Sequence, residues 1–218
     1  MSDDKVLIID YNVGNHQSVA NALDFLGYKY FVSGRKEDIL KADFYILPGV
    51  GAFGEAMQNL QQLGVVDILK REIIEKEKPI LGICLGMQIL AEHSMENGYH
   101  EGLGLIEGRV DKIEARKGFR VPHVGWNTLD IMRKDPLFLK TEEDTSFYFD
   151  HSYHFICKEP YIYASCSYGS KLIAAVRKNN IFGVQFHPEK SQNSGLKLFR
   201  CFFDYVKKAR QGNKKNAL

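Results

Sequence analysis

Through the first half of the chain, short unbroken apolar runs alternate with segments whose apolar positions recur every three or four residues. Residues 6–10, 30–32, 44–47 and 80–84 are too short for helices and carry few polar positions, the pattern of strands buried on both faces. Between the first two, Asn15 can cap a helix whose Val19, Leu23 and Leu26 share one stripe and which Gly27 stops. A short helix is predicted near 36–40, and longer ones across 55–63 and 65–78. This βαβα order predicts a parallel sheet with helices on both faces, whose ligands gather beyond the carboxyl ends of the strands.

The pattern changes after about residue 105. Runs at 110–113, 119–124, 147–149, 161–166, 174–177 and 181–186 read as short strands separated by turns, so a mixed, partly antiparallel extension is expected. Leu198, Phe199, Phe202, Phe203 and Val206 then fall on one helical face that should pack back on the sheet. The chain is read as one domain over 1–206, followed by a basic tail at 207–218 that resembles a solvated, frayed helix end.

Composition narrows the function classes. The 218 residues are 44% hydrophobic and 26% charged with a formal charge of +2, ordinary for a soluble globular protein and unlike a polyanion binder. No interleaving of aromatic and basic residues suggests nucleic acid, and no apolar stretch approaches the roughly 20 residues that span a bilayer. Cys84, Cys157, Cys166 and Cys201 show no paired spacing, and the first residues lack a signal-peptide pattern, so a cytoplasmic protein with reduced thiols is expected. His151 and His154 are an odd step apart, which on a strand would send them to opposite faces, and no metal is expected.

Three strand ends carry chemistry. Gly82-Ile83-Cys84-Leu85-Gly86 has the layout of a nucleophile elbow: glycines on either side let the chain turn sharply at the cysteine. A helix opened by Leu85 would favour negative charge at the sulfur. Read alone, the motif is equally a buried core cysteine between packing glycines. His187-Pro188-Glu189 ends an apolar run, and in extended chain the acid and imidazole would project to one side, the acid fixing the tautomer while the other ring nitrogen faces a thiol. Gly49, Val50 and Gly51 follow a third strand, where unscreened amides could stabilise an oxyanion, or simply form a turn. Together, a cysteine, a histidine and an orienting acid suit acyl transfer.

Gly82-Ile83-Cys84-Leu85-Gly86-Met87-Gln88 and His187-Pro188-Glu189 resemble the triad type of glutamine amidotransferase. Asp10-Tyr11-Asn12-Val13-Gly14-Asn15, Pro48-Gly49-Val50-Gly51-Ala52-Phe53, Gly102-Leu103-Gly104-Leu105-Ile106, Pro122-His123-Val124-Gly125-Trp126-Asn127 and Phe186-His187-Pro188-Glu189-Lys190-Ser191 narrow the likeness to the glutaminase subunits of imidazole glycerol phosphate synthases. The resemblance spans nearly the whole chain. It implies an α/β three-layer sandwich around a mostly parallel sheet, with Cys84, His187 and Glu189 catalytic and amides of Gly49, Val50, Gly51 and Leu85 forming the oxyanion site. It further implies that Gln88, Glu96, Ser152 and Tyr153 bind L-glutamine, Glu96 taking the substrate's amino group. No cofactor is implied.

The family also implies a partner, because no acceptor site is visible in the sequence. That partner would be a (β/α)₈-barrel cyclase that uses ammonia to form imidazole glycerol phosphate and aminoimidazole carboxamide ribotide in histidine biosynthesis, docked over Asn15, Trp126, Tyr148 and Lys190. Asn12, His16 and Asp150 depart from the family's usual residues, the first two in the loop nearest the expected partner. They leave open an alternative in which the same half-reaction supplies a nucleotide-sugar or surface-polysaccharide amidating enzyme.

Overall fold

A computed structural model describes residues 5–134 and 136–215; positions 1–4, which begin the stretch read above for a signal peptide, and 216–218, the end of the expected tail, lie outside them. In chain order the first half contains β1 (Val6–Ile9), α1 (His16–Leu26), β2 (Tyr30–Ser33), α2 (Lys36–Lys41), β3 (Phe44–Gly49), α3 (Phe53–Gln62), α4 (Val66–Ile74), β4 (Ile80–Cys84) and the single turn α5 (Leu85–Gln88). Asn15 caps α1 by accepting from the Ser18 amide at 3.3 Å, and Gly27 ends it at φ 74°. The four strands run parallel in the order β2-β1-β3-β4.

Alternation along these strands divides the core in two. Val6, Ile8, Phe44, Ile46, Leu81 and Ile83 face one layer with Val19 and Leu23 of α1. Leu7, Ile9, Tyr45 and Leu47 face the other, with Ile39, Met57, Leu60, Leu69 and Ile73 from α2, α3 and α4. Every residue of β1, β3 and β4 is buried, which is why their sequence shows no polar alternation.

The second half contributes β5 (His93–Ser94), β6 (His100–Glu101), β7 (Gly108–Lys112), β8 (His123–Thr128), β9 (Asp130–Ile131), β10 (Ser146–His151), β11 (Tyr153–Cys157), β12 (Ile162–Tyr168), β13 (Ser170–Lys178), β14 (Ile181–Val184) and α6 (Gln192–Lys215). Strand β14 lies parallel beside β4, and β13, β12 and β9 extend the sheet antiparallel to eight strands. The remaining strands form a four-stranded sheet, β11-β7-β5-β6, and a two-stranded ribbon of β8 and β10. Leu198, Phe199, Phe202, Phe203 and Val206 of α6 are buried in the layer of α1, where Phe202 and Phe203 meet Phe44 edge-on.

One local expectation fails for a physical reason, and one helix proves short. Residues 119–124 are not a strand: Pro122 has no N–H for a ladder, only an isolated bridge joins Arg116 to Phe119, and β8 begins at His123. The helix after Cys84 ends after one turn. The carbonyls of Ile89, Leu90 and Ala91 accept instead from Leu103, Leu105, Ile106 and Gly104, so the returning chain takes acceptors a longer helix would need.

Candidate active site

Cys84 stands at the junction of β4 and α5 with φ 54° and ψ −111°, a conformation that L-residues rarely adopt. Its flanking glycines are sterically required. A Cβ on Gly86 would lie 1.7 Å from the Leu47 carbonyl oxygen, and one on Gly82 would lie 2.5 Å from that of Gly86. Gly49 sits opposite Cys84 on β3, where a Cβ would meet the Tyr11 Oη at 2.4 Å. Tyr11, fully buried, donates that hydroxyl to the Pro48 carbonyl at 2.8 Å. With α5 only one turn long, the helix dipole at the sulfur is weaker than a full helix would give.

The imidazole of His187 reaches this elbow from β14. Its Nδ1 lies 2.7 Å from Glu189 Oε1, and the imidazole lines the same cavity as the Cys84 sulfur. The backbone route differs from the extended one expected: β14 ends at Val184, and Pro188–Lys190 forms a 3₁₀ turn that folds Glu189 back beneath the ring. Burial alone would depress the imidazole, but the neighbouring Cys84 and Glu189 outweigh it and lift the pKa to about 10. Tyr148 of β10 fixes the backbone here, accepting from the His187 amide at 2.8 Å, while Ser191 Oγ donates to the His187 carbonyl at 2.6 Å.

Cys84, His187, Val50, Gly51, Leu85, Gln88, Glu96, Ser152 and Tyr153 line one cavity of about 310 Å³. Gly49 and Glu189 do not line it; they stand behind Val50 and His187. Gln88 donates from Nε2 to the Tyr153 carbonyl at 2.9 Å, and Glu96 Oε2 accepts from the Phe53 amide at 2.7 Å, at the start of α3. Three of the expected interface residues touch one another. Trp126 is 50% exposed and packs edge-on to Tyr148, with Lys190 Nζ 5.6 Å from the same ring. The Asn15 side chain is occupied in capping α1. His151 and His154 lie on different strands, β10 and β11, rather than along one. Among the described residues, no group of three His, Cys, Asp or Glu side chains could hold a metal ion.

Sequence reading missed Gln185. Fully buried, it presents Nε2 3.7 Å from the Cys84 sulfur, while its Oε1 accepts from Gln88 at 3.0 Å. A lone amide inside the apolar run 181–186 was the available signal, since a buried amide demands partners. His123, buried beside His151 of the cavity wall, forms a contact that the sequence did not suggest.

A thiol on a strained elbow and an imidazole raised by an acid, both lining one cavity, form the apparatus of thiol-dependent acyl transfer on a doubly covered α/β sheet. Residues 7–205 match the family described as glutamine amidotransferase class-I, and the chain belongs to that family. It is 47% identical over 197 residues to imidazole glycerol phosphate synthase subunit HisH 1 of Campylobacter jejuni, covering 90% of this chain and 98% of that protein. It is also 47% identical over 204 residues to subunit HisH 2 of Vibrio vulnificus, covering 93% and 95%. The fold matches the structure of PurLQS from Thermotoga maritima with a TM-score of 0.72 at 20% identity, over 94% of this chain and 100% of that one.

Proposed function

We infer that the chain is the glutaminase subunit of an imidazole glycerol phosphate synthase, hydrolysing L-glutamine to glutamate at Cys84 and passing the ammonia to a partner subunit. The observation that carries the chemistry is the pairing of His187 with Glu189 beside Cys84, with the thiol and imidazole lining a cavity sized for an amino acid. The Cys84 thiolate attacks the γ-carbonyl carbon, and the carbonyl oxygen becomes an oxyanion facing the amides of Val50, Gly51 and Leu85. As the tetrahedral centre collapses, the His187 imidazolium protonates the departing nitrogen, ammonia leaves and a γ-glutamyl thioester remains. Water, deprotonated by the now neutral His187, attacks the thioester, releasing glutamate and restoring the thiolate–imidazolium pair. Glu189 keeps Nδ1 protonated and so turns Nε2 toward the sulfur and substrate.

Gln88, Glu96, Ser152 and Tyr153 hold the amino acid, with Glu96 opposite the ammonium. The partner is a (β/α)₈-barrel cyclase docked over Asn15, Trp126, Tyr148 and Lys190, and the complex works in the cytoplasm. Among the described residues no helix is long and apolar enough to cross a membrane. The test is to purify the chain with its partner and follow ¹⁵N from the glutamine amide. Its appearance in imidazole glycerol phosphate supports the reading, whereas its appearance in an amidated nucleotide sugar overturns the assigned acceptor.

A further inference from the structure

At the wall of the glutamine cavity two histidines from paired strands meet directly, His151 lining the cavity and His123 packed against it. His123 on β8 and His151 on β10 are register partners on the inner face of the ribbon, both buried, with His123 Nδ1 3.0 Å from His151 Nε2. His151 Nδ1 lies 2.8 Å from the Tyr153 carbonyl, the same oxygen that receives Gln88. At the other end Asn127 Nδ2, anchored on the Ser167 carbonyl at 3.0 Å, lies 3.4 Å from His123 Nε2.

These contacts admit one arrangement of protons if both rings are neutral. A carbonyl only accepts, so His151 carries its proton on Nδ1 and its Nε2 must accept. His123 therefore carries its proton on Nδ1, and its Nε2 accepts from Asn127. Any other placement either breaks one of these bonds or requires a second proton on a ring that burial holds neutral: desolvation pushes His123 down to about 4 and His151 to about 3. The His123 ring plane is fixed as well, stacked on Phe149 at 4.7 Å and Tyr168 at 3.9 Å between centroids.

We propose that His123 and His151 are positioning residues: a neutral, one-directional hydrogen-bond chain from Asn127 through both rings to the Tyr153 carbonyl, which fixes the Ser152–Tyr153 turn in the orientation that receives glutamine. The proposal rests on the reading of that turn as part of the substrate site. The Tyr153 oxygen takes two donors, Gln88 and His151, so the peptide cannot rotate without breaking both. Because the chain starts beside Trp126 on β8, the ribbon that carries Trp126 and Tyr148 also holds the substrate turn.

The experiment uses the complex with its partner and compares His123→Phe, which retains the stacking but removes the donor, with His123→Asn, which returns an amide near the Nδ1 position. His123→Phe should raise the KM for glutamine about two- to tenfold, the loss of one neutral hydrogen bond, with kcat changed less than about twofold. His123→Asn should restore KM to within about twofold of the parent. Ser152→Ala, run alongside, tests the substrate turn without touching the histidines. An unchanged KM in His123→Phe while Ser152→Ala raises KM overturns the chain alone; an unchanged KM in both overturns the reading of the turn and the chain with it. Should His123→Phe not fold, ¹⁵N-histidine NMR of the unsubstituted complex at neutral pH decides. Protons on Nδ1 of both rings support the proposal, and a proton on Nε2 of His123 refutes it.

Discussion

Alanine at Gly86 tests whether the elbow, rather than the thiol alone, makes the site. Gly86 has no positive φ, so alanine is conformationally acceptable and the whole effect is steric. Its Cβ would stand 1.7 Å from the Leu47 carbonyl oxygen, where real contacts essentially never fall below 3.0 Å, so β3 and α5 must separate by more than an ångström. Leu47 lies two residues before Gly49, which pairs with Cys84, so the displacement acts directly between the sulfur and the expected oxyanion amides. Overpacking on this scale costs about 3 kcal/mol or more, roughly 6–12 °C in melting temperature for a domain of this size. Misplacing the reacting groups by about 1 Å should lower glutaminase kcat/KM about 100-fold. The assay is glutamate release in the presence of the partner, with melting recorded by circular dichroism. Gly104→Ala is the control: its Cβ would meet nothing within 4 Å, and only the left-handed backbone at φ 61° opposes it. It should cost about 1–2 kcal/mol with activity retained. A Gly86→Ala protein with parental melting and kcat/KM within twofold would refute the steric account of the elbow.

Other expectations can be checked with the same preparations. Cys84→Ala should abolish glutamine-dependent product formation yet leave the complex active with free ammonium at raised pH; loss of both would contradict a separate acceptor site. Glu189→Gln should cost less in kcat than His187→Ala, since it removes orientation and charge but leaves the proton carrier, and equal losses would assign Glu189 more than orientation. The His187 pKa is raised from 6.5 to about 10, so its contribution to stability is complete below about 6.5 and fades as pH rises through about 10. His123 and His151 are depressed, so the unfolded chain takes up their protons first and stability falls as pH drops below about 6.5 toward 4 and 3. Denaturant melts across pH should therefore peak near neutrality, and Glu189→Gln should flatten the alkaline limb; a limb of unchanged slope would remove Glu189 as a source of the raised pKa.

Much of the architecture was legible because β1, β3 and β4 are buried on both faces, so their residues could be apolar without interruption while α1 and α6 kept clean stripes. The Cys84 elbow was legible for a related reason: the steric conflicts at Gly82 and Gly86 arise within one strand–turn unit and leave a local mark. His187 and Glu189 were rightly paired in sequence, but the turn that joins them is 3₁₀ rather than extended, and Pro188 at its first position fits either conformation. What escaped depends on distant chain. Helix α5 stops because residues 103–106 claim its downstream carbonyls, and His123 gains its partner His151 only through the pairing of β8 with β10. Gln185 is a core position by pattern, and only its approach to Cys84 and Gln88 shows why an amide stands there.

The central claim is that Cys84 is the thiolate that attacks glutamine. It is tested most directly by treating the complex with a glutamine analogue whose amide is replaced by a chloromethyl ketone, then mapping the adduct by peptide mass spectrometry. The chain has four free cysteines, and burial pushes Cys157 and Cys166 up to about 12 and also raises Cys201. The account requires one adduct, on Cys84, suppressed by excess glutamine. Labelling spread over the other cysteines, or labelling of Cys84 that glutamine does not protect, would contradict it.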